Sequence, residues 1–548
     1  MTQLSRRELL GALGGVAAFA LVGCGSSDNG NQSLGDKRVG AMDKFGVGDQ
    51  FKATEPLTFS IAMLDNPGYP YKADWEFFTE LTKRTNVKFN PTVIPLSDYN
   101  QKRDVMVGAG NAPFIIPKTY HPSEEAYIAG GAILPVSDYV DLMPNFQDKV
   151  KKWGIQAEID AQLKQDDGKY YLLPGIHEDV WLDYSIAIRT DILTKLGVQA
   201  PTTWDELTTV LTAMKPMAKP YPLSDRWSTT PEGPGANCLL AHLSDAYDTR
   251  AGWDWQPYHW DTNTSKFVFP GAQDNYKALL AYLNSLVSQK LMDPESFTQQ
   301  DDQAKQKFGT GKAFVISANA QELVNAYRKD LTAQVPGGTV TKIPRLMGPM
   351  GATKRGTRLE NGIIISSKAK DSKNFVAMMQ FIDWLWYSDA GQLLAKWGIQ
   401  GQTFTGNVDD GSLKLASDVD WAGLNPTGTK KLNVDYGFFN GVFAYGGSTK
   451  FLDTQFTPEE KQFQDAMAQR KLRPSEPAHP LTADEREQTT LWATALKDHV
   501  NQQSLKFILG QRPLTEWDTY VSELKGKNMD QLIDVHNKAA DRFKKNHG

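Results

Sequence analysis

At 548 residues the chain exceeds the ~100–200 residues of a common single domain, so two or more lobes are expected. Its 59 Lys+Arg against 64 Asp+Glu leave a net charge of -5 without long runs of either sign, which excludes the basic footprint of a nucleic-acid binder and a polybasic membrane arm. Aromatic residues reach 11%, enough that some rings are expected to face solvent or a ligand, as in sugar or peptide binding.

Arg6-Arg7 precede an apolar, Gly/Ala-rich run over 11–22 that is too short to span a bilayer, the form of an export signal. The pair in SRRELL resembles a twin-arginine signal, with ordinary Sec export as the alternative. Leu21-Val22-Gly23-Cys24 has the form of a bacterial lipobox, so residues 1–23 are expected to be removed and Cys24 lipidated. The small, polar text after it reads as a flexible tether, with 24–52 as the anchor and linker segment. Only Cys238 then remains; no intramolecular disulfide is possible, and Cys238 is expected to be a small buried hydrophobe. The protein is expected on the extracytoplasmic face of the bacterial cell membrane, held by lipid.

Leu57, Phe59, Ile61 and Met63 alternate as in a strand; Trp75, Phe78 and Leu81 recur at helical spacing; 87–94 is a second strand. A helix over 98–107, a strand at 114–116 and a helix over 123–129 continue the alternation of a parallel α/β layer, whose carboxyl edge would carry Tyr69 and Tyr120. In DDGKYYLLPGIHEDVWLDYSIAIRT (166–190), strands at 170–173 and 185–188 are expected around a turn at Pro174-Gly175, leaving a loop that projects His177, Glu178, Asp179, Trp181, Asp183 and Tyr184. Thr203 to Glu206 reads as a capping box opening a helix. Trp227 to Trp260 is aromatic, loop-like text that includes Trp253 and Trp255, 261–265 a turn, and 276–291 an amphipathic helix. GIIIS at 362–366 is a buried strand, and a helix from Phe375 ends near Ser388. Charged helices near 482–509 and 514–524 lead to a basic tail.

Enzyme signatures are missing. Gly309-Thr310-Gly311-Lys312 is followed by Ala313 rather than the hydroxyl a phosphate loop needs, and no H-E-x-x-H or G-x-S-x-G occurs. Asp261 to Ser265 alternates oxygen ligands like the start of a calcium loop but lacks the sixth glycine and twelfth glutamate, so a hairpin turn explains it as well. Carboxylates such as Glu178 and Asp183 keep a glycoside hydrolase as the enzymatic alternative.

Three stretches, DGKYYLLP with IAIRTDILTKLGVQAPTTWDEL, ENGIIISSKAKDSKNFVAMMQFIDWLWYSDAGQ and NQQSLKFILGQRPLTEWDTYVSELKGKNMDQLIDVHNKAADRF, resemble the substrate-binding lipoproteins of carbohydrate ABC importers, in particular the long branch with alginate- and aldouronate-oligosaccharide receptors. Phe114 and Gln400 depart from residues frequent in that family. The resemblance implies a periplasmic-binding-protein-like type II fold: two α/β lobes joined by a multi-segment hinge, with additional C-terminal helices. Lobe one would comprise 53–183 plus 359–402, and lobe two 184–358 plus 403–548. It also implies a non-catalytic receptor that captures a carbohydrate, expected to be an oligosaccharide, between the lobes and delivers it to the transmembrane subunits of an ABC permease; a monomer with neither cofactor nor metal is expected.

A pyranose is recognised by rings stacking on its C–H faces and by polar side chains bonding its hydroxyls. The expected ligand-binding set is Trp181 and Tyr184 with Glu178 on the crossing loop, Trp227, Trp253 and Trp255 from the second lobe, and Tyr69, Tyr120, Asn319, Glu360, Asn361 and Trp397 around them. A peptide or metal-chelate receptor is the remaining alternative.

Overall fold

The computed structural model describes residues 34–227 and 233–547. The export signal and Cys24 lie outside the described residues. The expected tether ends earlier than 52: Val39 N donates to Lys373 O at 3.0 Å, the Gln380 side chain bonds both Met42 backbone groups, and Phe51 is fully buried against Phe381. An aromatic ring in the tether text was the sign that this part folds.

Strand β1 (Leu57–Asp65) is apolar and buried on both faces from Ile61 to Leu64, as the middle of a central strand must be. Helix α1 (Glu76–Thr85) stops at Asn86, which takes the left-handed conformation (φ 59°) and donates its N–H to Thr82 O. That turn feeds β2 (Val87–Pro95), which runs parallel to β1 in register from Leu57↔Val87 to Asp65↔Pro95. Then follow α2 (Tyr99–Gly108), β3 (Ile115–Thr119), a 3-10 turn rather than a full helix at Ser123–Tyr127, and α3 (Pro144–Lys152). Strand β4 is Leu173–Ile176, so Pro174 and Gly175 lie inside the strand and not in a turn after it. Proline is tolerated because β4 is the edge of its sheet, and Gly175 is required because a Cβ there would come within 2.9 Å of Tyr445.

The chain crosses into a second lobe at β5 (Ser185–Arg189). Helix α4 (Trp204–Met214) opens with Thr203 Oγ1 accepting from Glu206 N at 3.1 Å; Glu206 answers to Thr202 rather than Thr203, so only half of the capping box forms. Helices α5 (Asn237–Ala246) and α6 (Asp274–Ser288) follow, separated by the hairpin His259–Asp261/Lys266–Val268. Asp261 accepts from Asn263 N and Thr264 Oγ1, closing the hairpin turn. Strands β6 (Val315–Ala318) and β7 (Val340–Ile343) flank β5 in an antiparallel sheet ordered β6-β5-β7.

Strand β8 (Leu359–Ile365) returns to the first lobe and inserts antiparallel between β3 and β4, giving the order β2-β1-β3-β8-β4. The sheet is therefore mixed, not wholly parallel. A Cβ at Gly362 would stand 2.0 Å from Leu173 O, which is why β8 can pass so close to the edge strand. Helix α7 (Phe375–Ile382) continues into a π-helical turn, Asp383–Tyr387, and α8 is Asp389–Trp397.

Beyond 402 the chain keeps contact with α1 and α8: Phe439 N donates to Ala395 O, Trp75 Nε1 donates to Val434 O, and Phe443 stacks on Phe77 at 4.5 Å. Their apolar rings offered no sequence clue to which lobe they cover. Helices α9 (Ala483–Ile508), α10 (Trp517–Lys525) and α11 (Met529–His547) pack on α6 in the second lobe's core, with Tyr276 hydroxyl to Ser504 Oγ at 2.9 Å and Asn284 Nδ2 to Phe507 O at 3.1 Å. The basic tail is the end of a helix. Cys238 is fully buried on α5, its Sγ 3.3 Å from His242 Nε2.

Candidate ligand-binding cleft

Three segments cross between the lobes side by side. His177 N donates to Arg358 O and Glu178 N to Gly447 O, tying 177–184 to the segments around 358 and 447. Arg358 is itself pinned by Glu158 at 2.6 Å and Trp153 O at 2.6 Å. The first crossing is extended, so successive side chains alternate. Val180 and Leu182 turn into a small apolar cluster with Phe463 and Met467, while Trp181 and Asp183 turn the other way, into a cleft of about 420 Å3.

The lobe-one floor of that cleft carries Lys118, His177, Glu360, Asn361 and Lys396. His177 Nε2 lies 3.0 Å from Glu360 Oε2, and Gly446 N donates to the same oxygen at 3.0 Å. Burial alone would raise the Glu360 carboxyl; the His177 hydrogen bond and charge, the Gly446 amide and Lys118 together hold it down at about 2. Burial pushes Lys396 down to about 8, opposed by the Glu360 charge. For Lys118 burial acts the same way, but Tyr120, Glu360 and Tyr69 outweigh it and raise the ammonium above its ordinary range. Trp181 Nε1, His177 Nδ1 and Asn361 Oδ1 are buried polar atoms with no partner among the described residues.

The opposite wall comes from lobe two. Asn319 caps the helical turn after β6, accepting from Glu322 N at 2.7 Å, and Leu323 and Val324 follow on a π-helical turn. Asp183 Oδ1 accepts from Ala320 N at 3.3 Å, and its carboxyl is raised by burial against the pull of Lys342. Glu459 and Glu460 also line this side, paired with Arg328 and Lys342 at 2.7 Å each.

Of the residues expected to bind ligand, the cleft brings together Tyr69, Tyr120, Trp181, Tyr184, Asn319, Glu360 and Asn361. Glu178 is beside it but occupied, its Oε2 accepting from Thr449 N at 2.9 Å. Trp227 and Trp253 stand behind Tyr184, the three rings meeting edge to face at 5.0–5.6 Å. Trp255 lies in the second lobe's core against Phe269 and Tyr276, and Trp397 is buried on the inner face of α8 against Phe404. Both tryptophans sit among apolar partners away from the cleft.

Sequence reasoning missed Lys118, Lys396, Trp421 and Phe439, all of which line the cleft. Lys118 is the fourth residue of β3, near the edge where Tyr120 was expected, and a charge inside an otherwise buried strand was the available signal. Trp421 and Phe439 lie in loop text with nothing to mark their direction.

Glu360→Gln is expected to flatten the acid limb of stability. A carboxyl whose folded pKa of about 2 lies below its ordinary 4.5 adds stability that is complete above 4.5 and lost as pH falls through about 2. Melting temperatures followed across that range test it: a Gln variant whose profile runs parallel to the wild type would remove Glu360 from the acid response.

A family model described as bacterial extracellular solute-binding protein matches residues 76–411. The fructooligosaccharide ABC transporter substrate-binding protein FusA of Streptococcus pneumoniae is 21% identical over 91% of this chain and 93% of its own. Lipoprotein LipO of Bacillus subtilis is 21% identical over 71% of this chain and 72% of its own. The crystal structure of alginate-binding protein AlgQ2 without calcium ion superposes with a TM-score of 0.69 at 19% identity, covering 90% of this chain and 99% of that one.

Proposed function

The chain belongs to the family of bacterial extracellular solute-binding proteins, and we propose that it is the receptor of a carbohydrate ABC importer, holding an oligosaccharide in the interlobe cleft. The observation that carries this reading is the make-up of the cleft: aromatic rings from both lobes surround buried hydrogen-bonding atoms that no group among the described residues satisfies. Leaving such atoms dry and unpaired costs about 1–3 kcal/mol each, a cost that ligand hydroxyls remove. The relatives named for fructooligosaccharide and alginate support the ligand class. Closure over the sugar presents both lobes to permease subunits, and lipidation at Cys24 keeps the monomeric receptor at the membrane, as the lipoprotein relative also suggests.

Receptor rather than hydrolase is the better reading because Glu178 is spent on a backbone amide and Glu360 is held ionised by His177. A thermal-shift screen against oligosaccharides, peptides and metal chelates tests this. An oligosaccharide at 100 times its Kd should stabilise the protein by about 2.7 kcal/mol. Stabilisation by peptides or chelates alone, or sugar release from chromogenic glycosides, would overturn it.

A further inference from the structure

Two arginines of the C-terminal helices reach across to the first lobe. Arg486 on α9 donates from Nε to Glu125 Oε2 at 3.1 Å and from Nη2 to Gln165 Oε1 at 3.1 Å. Arg542 on α11 donates from Nε to Asp166 Oδ1 at 2.9 Å. Glu125 belongs to the 3-10 turn Ser123–Tyr127 after β3, and Gln165 and Asp166 to the turn ahead of β4. All three partners therefore come from the side of the cleft opposite the helices.

Both guanidinium groups are fixed before they meet those partners. Helix α9 opens with a complete capping box, Thr482 Oγ1 accepting from Glu485 N at 3.3 Å and Glu485 Oε2 accepting from Thr482 N at 2.9 Å. The same Glu485 accepts two bonds from Arg542, at 2.7 and 2.8 Å, and Arg486 Nη2 donates to Leu481 O at 3.2 Å. On the first-lobe side Gln165 Nε2 donates to Glu125 Oε1 at 3.2 Å. Charged side chains already held in place lose less rotamer freedom when they pair.

The pairs are also sheltered and well placed. Glu125 and Arg486 are each only 20% exposed, and a pair withdrawn from water keeps more of its attraction than one on an open surface. Tyr120, which lines the cleft, leads into the turn that carries Glu125. Contacts that form only when the lobes approach favour the closed form, whatever fills the cleft.

We propose that Arg486 and Arg542 form an ionic clasp between the C-terminal helices and the first lobe, which stabilises the closed form and sets ligand affinity from outside the cleft. This rests on the reading of the chain as a receptor that closes over its ligand, and adds to it two positioning residues that touch no ligand.

The test measures affinity by calorimetry with a panel of neutral and uronate-containing trisaccharides, and the radius of gyration of the unliganded protein by small-angle X-ray scattering. Glu125→Arg sets like charges against each other and leaves α9 intact; it should bind about fivefold more weakly and scatter as a more extended particle. Exchanging the pair, Glu125→Arg with Arg486→Glu, should recover most of both changes, which a merely structural role would not. Asp166→Asn should weaken binding about twofold, and full affinity there would strike Arg542 from the clasp. Raising sodium chloride from about 20 mM to about 500 mM should narrow the gap between wild type and Glu125→Arg, because it screens the attraction in one and the repulsion in the other. Full affinity in Glu125→Arg, or a loss that the exchanged pair does not recover, would overturn the clasp and leave the carbohydrate reading standing. A wild type that binds none of the trisaccharides would overturn the carbohydrate reading, and an unchanged radius of gyration in Glu125→Arg would then overturn the clasp by itself.

Discussion

Trp181→Ala is expected to weaken carbohydrate binding tenfold or more while leaving the melting temperature nearly unchanged. The separation of the two effects follows from the alternation of the crossing strand: Val180 and Leu182 hold the segment to Phe463 and Met467, and Trp181 contributes nothing to that cluster. Its ring instead lies in the cleft, tilted at 36° to His177 with centroids 5.8 Å apart, and its Nε1–H is buried without an acceptor among the described residues. A stacking contact of about 0.5–1.5 kcal/mol and one hydrogen bond of about 1 kcal/mol together exceed the ~1.4 kcal/mol of a tenfold change. Trp181→Phe keeps the ring and loses the donor, so it should fall between. Calorimetric affinity unchanged in the Ala variant would remove Trp181 from the site, and a large loss of melting temperature would show that the ring is structural.

Position on a crossing segment adds to this. A ligand shifts a two-lobed protein from 1:99 to 99:1 closed only through about 5.5 kcal/mol of differential affinity. Contacts limited to one lobe supply none of it. Trp181 and Asp183 lie between the floor built by Glu360 and His177 and the wall built by Asn319 and Val324, so groups from both lobes converge on one volume.

Much of the architecture was legible because it is written in periodicity. Leu57 to Met63, Val87 to Ile94, Ser185 to Ile188 and the Gly362 run became strands, and the periodic runs at 75–81, 98–107 and 276–291 became α1, α2 and α6. What failed to show was long-range. Pro174-Gly175 is turn chemistry locally and edge-strand chemistry in place, because the sheet ends there. Trp181, Trp255 and Trp397 look alike as aromatic residues in mixed text, yet one faces the cleft and two face cores, a difference set by Phe269, Tyr276 and Phe404, which are distant or unpatterned in sequence. Lys396 was invisible for the same reason: only packing places its ammonium beside Gly446 O, inside the cleft wall.

Asp383→Ala should be the most destabilising single change considered, costing about 3 kcal/mol. Asp383 is fully buried in the π-helical turn after α7, and its carboxylate serves a helix more than 200 residues away in sequence. Oδ2 accepts from Asn145 N at 2.9 Å and Asn145 Nδ2 at 2.7 Å, and Oδ1 accepts from Phe146 N at 2.8 Å. Helix α3 has no cap of its own, since Met143 at its start offers no side-chain acceptor. Alanine would therefore strand two first-turn amides and a side-chain amide in a dry site. Burial raises the Asp383 carboxyl to about 6 despite those three donors. With the folded value above the ordinary 3.8, the folded state holds its proton more tightly, so this group's contribution to stability falls as pH rises from 3.8 through about 6. Denaturant unfolding at pH 7 and pH 5 tests both parts: the Ala variant should unfold at lower denaturant with an unchanged slope, and should lose the wild type's decline between those pH values. Asp383→Asn, which keeps one acceptor, should recover part of the loss. A cost below about 1 kcal/mol for Ala would mean that α3 finds its cap elsewhere.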